Sequence, residues 1–179
     1  MSGYDPDFSD ERIPLAYLIT FRCYGTWLHG DERGSTDRHH NRYGTPFIPS
    51  NVRWQQYNEA TLKHPPVTLD AAQRASVEKA IRETCELRGW LLQAINVRTN
   101  HVHTVVAANR KPEPVLSAFK ANATRQMRAD EVWREAHSPW ADKGSRRYLW
   151  KPHHVDRAID YVVNGQGDAL PSFDDDDEA

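Results

Sequence analysis

The chain has 179 residues, 39% of them hydrophobic and 27% charged, which fits one domain with a real apolar core and leaves too little chain for two full ones. No apolar run approaches the roughly 20 residues of a membrane helix, and the start, Met1 to Asp7, lacks the basic residues and apolar stretch of a secretion signal. The formal charge of −2 hides an uneven distribution. Nine of the 25 acids lie at the ends (Asp5, Asp7, Asp10, Glu11 and the run Asp174 to Glu178), so Arg12 to Phe173 carries 23 basic against 16 acidic side chains. Like-charged ends of this kind read as solvated segments.

Cys23 and Cys85 stand far apart, without neighbours that would suggest a disulfide framework or a zinc site. They are expected to be reduced thiols, and a cytoplasmic location follows as the default expectation. Three regions are expected: an acidic flexible segment over 1–12, one domain over 13–168, and an acidic tail over 169–179.

In chain order, Leu15 to Phe21 is β-branched and aromatic-rich and predicts a buried strand. From 25 to 66 the pattern dissolves into Gly, Pro, His and charges, a long loop insertion with room for a short helix at Trp54 to Glu59. Asp70 and Gln73 form a capping box for a helix reaching Arg88, with Gly89 as its stop. Ala80, Ile81, Thr84 and Cys85 give that helix a buried stripe.

Two strands follow, Trp90 to Val97 and His101 to Ala108, joined by the short turn Arg98-Thr99-Asn100. A second helix is predicted from about Val115 to Arg128, with Val115, Phe119, Ala123 and Met127 along one face. The basic and aromatic stretch Lys143 to Lys151 leaves room for a further strand. A last helix covers Val155 to Val163 and closes at Asn164-Gly165. This order predicts an α+β sandwich of an antiparallel sheet and helices.

The sharpest chemical feature is His101-Val102-His103 at the start of a strand. Alternation along the strand projects both imidazoles from one face while Val102 points into the core. Two neutral imidazoles on one face suit a divalent cation but leave its coordination incomplete, so a third donor must come from elsewhere. On the final helix, Arg157, Ala158, Tyr161, Asn164 and Gly165 share a face at 100° per residue, and His154 joins them if the helix starts early. A tyrosine there is either a half-buried packing residue or, if a metal or base activates its phenol, a nucleophile.

The segment Asn96 to Val106, containing Asn100-His101-Val102-His103, resembles the histidine signature of the single-tyrosine HUH transposases, among them the REP-associated tyrosine transposases. The flanking helices, the Leu149-Trp150 segment and a tyrosine near the C-terminus occur in that family's order, so the likeness covers about Leu15 to Gly167. Tyr24 to Gly30 is also similar to the start of one branch of transposase-like proteins. The resemblance implies a ferredoxin-like fold of the HUH endonuclease type, with His101 and His103 holding Mg²⁺ or Mn²⁺. It implies Tyr161 as a nucleophile on single-stranded or hairpin DNA, leaving a 5′-phosphotyrosine link and a 3′-hydroxyl. The chain departs from the family where a polar third ligand is usual, four residues after the tyrosine: that position is Gly165. Asn164 is the expected substitute, with Gln166 angularly further away.

For the DNA path the candidates are Arg98, Lys120, Arg125, Arg128, Lys143, Arg146, Arg147 and Lys151, with Tyr148 and Trp150 as stacking surfaces or, alternatively, as core. The cluster Arg38, His39, His40 and Arg42 reads as exposed polar chain. The acidic ends aid solubility or, alternatively, compete with DNA for the basic body. With no apolar run long enough to span a bilayer, no membrane partner is expected, and a monomer and a homodimer that exchanges tyrosine helices both stay open. Two other functions remain open: a domesticated nucleic-acid-binding module of the same fold, and a metal-dependent phosphoesterase.

Overall fold

A computed structural model of the chain describes residues 12–26, 52–165, 171 and 173. The cluster at 38–42, Gln166, most of the long insertion and nearly all of both acidic ends lie outside the described residues. The elements run β1 (Ala16–Arg22), α1 (Val52–Ala60), α2 (Ala71–Arg88), β2 (Leu91–Val97), β3 (His101–Ala107), α3 (Pro112–Ala129), β4 (Ser145–Leu149) and α4 (Pro152–Val163).

The four strands form one antiparallel sheet in the order β2-β3-β1-β4. This α+β arrangement is the expected ferredoxin-like one: β3 is inserted between β1 and β2, and β1 between β3 and β4. None of the described helices is long and apolar enough to cross a membrane.

Local chemistry explains the element ends. Asp70 and Gln73 make the full capping box at the start of α2. Gly89 ends that helix with φ of +67°, a left-handed conformation that glycine takes without steric cost. Helices α3 and α4 each begin about three residues before the sequence-based expectation, at Pro112 and Pro152. Proline in the first turn loses no helical hydrogen bond, so it opens these helices instead of merely preceding them.

The sheet separates two unequal cores. On one face, α2 and α3 cover Tyr17, Ile19, Phe21, Val102 and Val106 with Val77, Ile81, Val115, Phe119, Ala123 and Met127, and Trp90, Trp133 and Trp140 extend the layer. On the other face α4 is the one described helix over a smaller cluster of Ala16, Leu18, Ala94, Val105 and Leu149, using Val155, Ala158 and Val162, with Phe173 packed beside it. Tyr148 belongs to the larger core and packs on Tyr17 with ring centroids 5.2 Å apart, which favours the packing reading of that ring over base stacking. Trp150 is half-buried beneath the Arg12 guanidinium, 4.2 Å from its ring centre.

Candidate functional site

The smaller face carries a row of polar side chains across three neighbouring strands. In the register of β1, β3 and β2, Thr20 lies opposite His103, and His103 opposite Asn96. Alternation gives all three the same side as Leu18 and Val105, and therefore the side of α4. His101 is two residues along β3 on that same side, with Arg22 opposite it on β1.

Both imidazoles are held at Nδ1. The His101 Nδ1 lies 2.6 Å from Asn100 Oδ1, an acceptor only, so this nitrogen donates and the neutral ring keeps its lone pair on Nε2. His103 Nδ1 lies 2.7 Å from Thr20 Oγ1, and the hydroxyl is able to accept the same kind of N–H. Asn100 is itself fixed because its carbonyl accepts from Cys23 N at 2.9 Å, tying the β2–β3 turn to the end of β1.

His103 is buried, at 9% exposure. Burial drives its pKa down to about 3, and the neighbouring His101 and Arg98 charges push the same way. The ring is neutral at any ordinary pH and keeps a lone pair for a cation or a proton.

Helix α4 brings Tyr161 to this row. Its ring centroid is 5.4 Å from that of His103, at 73°, and the two histidine rings are 4.5 Å apart at 77°. The three side chains converge within one chain, so their juxtaposition needs no tyrosine from a second copy. Val155, Ala158 and Val162 set the buried stripe of α4, together with His154. The centre of the sheet-facing side is therefore about one residue away from the grouping expected from the helical wheel. Arg157 and Asn164 are exposed, while Tyr161 stays at the margin, half-buried.

The C-terminal end of α4 is tied to the sheet by Asn96, whose Nδ2 donates to Val162 O at 3.0 Å. Helix-end carbonyls lack partners in their own helix, and here a strand side chain supplies one beside Tyr161. Thr20, Asn96 and Asn100 were not singled out as functional in the sequence. Asn100 was legible as the first residue of the histidine signature, whereas Thr20 and Asn96 depend on strand register.

The third-donor position is informative. A Cβ at Gly165 would lie 2.9 Å from Tyr161 O and 3.0 Å from Tyr161 Cδ2, so glycine permits the close approach of the chain to the tyrosine. Asn164 Nδ2 donates to Asp160 Oδ1 at 2.7 Å, one turn back. Among the described residues no group of three His, Cys, Asp or Glu is placed to share a metal ion. Imidazoles anchored at Nδ1 nevertheless suit, in their neutral form, a divalent cation bound through Nε2.

The basic candidates divide between the faces. Arg98 is exposed and acts electrostatically on His103. Arg146 pairs with Glu113 of α3 at 3.2 Å on the larger-core face, and Arg147, its neighbour along β4, alternates to the α4 face. Lys151 is the residue from which α4 starts. Lys120, Arg125 and Arg128 lie on the outer surface of α3, beside the loop that leads to Lys143.

No family model matches this chain, and no curated protein matches it. Solved structures do. A REP-associated tyrosine transposase bound to a REP hairpin superposes with a TM-score of 0.51 and 12% identity, over 90% of this chain and 70% of that one. A candidate transposase from Deinococcus radiodurans has a TM-score of 0.47 and 15% identity, over 94% and 98% of the two chains. At such identities the likeness to the first establishes a shared fold.

Proposed function

We propose that this protein is a transposase-like endonuclease and strand transferase of single-stranded DNA, with Tyr161 as its nucleophile. The observation that carries the reading is the packing of the Tyr161 ring against His103, whose Nδ1-anchored imidazole is in turn in contact with the same-face, Nδ1-anchored His101. The shared fold with a transposase bound to a DNA hairpin supports it.

In this reading the Tyr161 phenolate oxygen attacks a phosphodiester phosphorus. The new bond is a 5′-phosphotyrosine; the bond to the 3′-oxygen breaks, that oxygen takes up a proton as a free hydroxyl, and the phenol proton passes to solvent. The link conserves the ester, so a 3′-hydroxyl is able to reverse the step and join strands. His101 and His103 would hold Mg²⁺ or Mn²⁺, with Asn164 offering Oδ1, the atom its bond to Asp160 does not use. Such a cation stabilises negative charge on the phosphate in the transition state. Asn100 and Thr20 fix the imidazoles, and Asn96 holds the helix turn that carries the nucleophile. Arg98 adds positive charge beside the pair, suited to an incoming phosphate.

Gly165 favours a second reading, a nucleic-acid-binding module of the same fold without cleavage, because the usual third-ligand position has no side chain. Incubating the protein with Mg²⁺ or Mn²⁺ and labelled hairpin DNA separates the two. The nuclease gives a protein–DNA adduct resistant to denaturant, lost in Tyr161→Phe and in His101→Ala while DNA affinity persists. Binding by the wild type with no adduct establishes the module instead, and hydrolysis of a small phosphoester that survives Tyr161→Phe would point to a phosphoesterase.

A further inference from the structure

Helix α3 turns a polar stripe away from the larger core: Ser117, Lys120, Thr124, Arg125 and Arg128 recur at helical spacing. The stripe faces the segment 136–140, and between them runs an open groove of about 680 Å³ whose lining, among the described residues, contains three cations and no carboxylate.

Its two ends are built by cations acting as ties. Lys120 Nζ donates to Ala141 O at 2.7 Å and also to Lys143 O. Arg128 donates to the carbonyls of Glu135 and Ala136 at 3.2 and 3.0 Å. Trp140 Nε1 is bonded to Lys120 O and Thr124 Oγ1, both at 3.0 Å, which fixes the floor. Arg125 lies between the ties, exposed, and makes no hydrogen bond or ion pair to another described residue. A guanidinium with no partner among the described residues, in a preformed groove whose described lining has no carboxylate, is placed to meet an anion.

The groove also has a direction. Burial lowers the Lys120 pKa, and the charges of Arg22 and Arg146 add to that effect while Asp142 opposes it. Ala141, whose carbonyl accepts from Lys120, donates its own N–H to Arg22 O at 3.0 Å, so Arg22 is close to the Lys120 end, and the same residue lies opposite His101 across β1 and β3. The groove starts at the end of the sheet that bears the histidines, on the opposite face.

We propose that the α3 groove binds the phosphodiester backbone of the same DNA strand that the Tyr161 site acts on, with Arg125 as its exposed anchor. This rests on the nuclease reading for the identity of the strand. Lys120 to Arg128 spans roughly 12 Å at 1.5 Å per residue, the axial length of about three phosphates of one duplex strand. Arginine, lysine and hydroxyl side chains are the usual phosphate contacts, and they position a strand without reading its bases.

The test is fluorescence anisotropy with labelled hairpin DNA carrying a single-stranded flank, titrated with salt. Arg125→Glu and, separately, Ser117→Asp are expected to weaken binding roughly tenfold, with Arg125→Glu flattening the salt slope by about 0.7 to 0.9. Arg125→Lys should keep most of the affinity. In the adduct assay Arg125→Glu lowers the yield at limiting DNA, and saturating DNA restores it. Unchanged affinity and slope in both charge variants would overturn the groove, even if wild-type protein forms the adduct. Charge-sensitive binding with no adduct in the wild type would sustain the groove and remove the nuclease. Equal competition by polyglutamate assigns the groove to an acidic protein segment instead, and no DNA binding by the wild type removes both proposals.

Discussion

The two faces of the sheet bury different kinds of side chain. Under α2 and α3 the side chains are apolar, large and interdigitated, and three tryptophans extend the layer. Under α4 a smaller apolar cluster shares the surface with Thr20, His103 and Asn96, and α4 itself is anchored partly by a side-chain hydrogen bond. A polar row costs burial energy unless every member is paired, and here the pairing itself sets the orientation of the histidines and the tyrosine helix. The strands belong to both layers, so the larger core keeps rigid the backbone on which the polar row is aligned.

Substitutions on each face sharpen that contrast. Phe119→Ala, in the larger core, is expected to lower the unfolding free energy by roughly 3–5 kcal/mol, whereas Tyr161→Phe should cost less than about 1.5 kcal/mol. Urea denaturation followed by circular dichroism measures both, and comparable losses would erase the division. Asn96→Ala leaves the Val162 carbonyl without this donor, an expected cost of about 1–3 kcal/mol. Its diagnostic effect is faster amide exchange at Asn164 and Gly165, whose N–H groups close the end of α4; unchanged exchange there means that the bond does not hold the helix end.

Removing the α2 cap by Asp70→Ala should cost about 1 kcal/mol, with no change in the ring resonances of His101 and His103, because the cap lies on the other layer. The smallest expected effects concern the thiols. Burial raises Cys23 to about 12 and Cys85 to about 11, the latter slightly offset by Arg82. Both cysteines should resist a thiol reagent at pH 8 until the protein is denatured. Raised native values favour the protonated folded state, so this contribution to stability is full below pH 9 and is lost as pH rises towards 12. Rapid labelling of native protein would contradict the burial of these cysteines.

Much of the fold was legible because it rests on local rules. The capping box at Asp70, the glycine stop at 89, the stripe from Val115 to Met127 and the short hairpin turn at 98–100 involve residues within a turn or two of one another. The starts of α3 and α4 lie at Pro112 and Pro152 and not beyond them, because the missing N–H of proline is harmless in a first turn. The exposed basic residues could not be sorted in advance. Arg146 and Arg147 are neighbours in sequence, yet one meets Glu113 and the other turns to the α4 face, since a strand alternates its sides.

By itself the sequence determined that His101 and His103 share a face, that Val102 is core, and that a tyrosine rides on an amphipathic final helix, for each follows from the period of one element. Tertiary structure alone decided that this helix crosses the sheet on the histidine side, that Thr20 and Asn96 flank His103, and that Gly165 packs against Tyr161. Those relations join residues from 4 to 83 positions apart. The distant ones depend on strand order and register, which arise from the packing of the whole domain and have no local period to announce them.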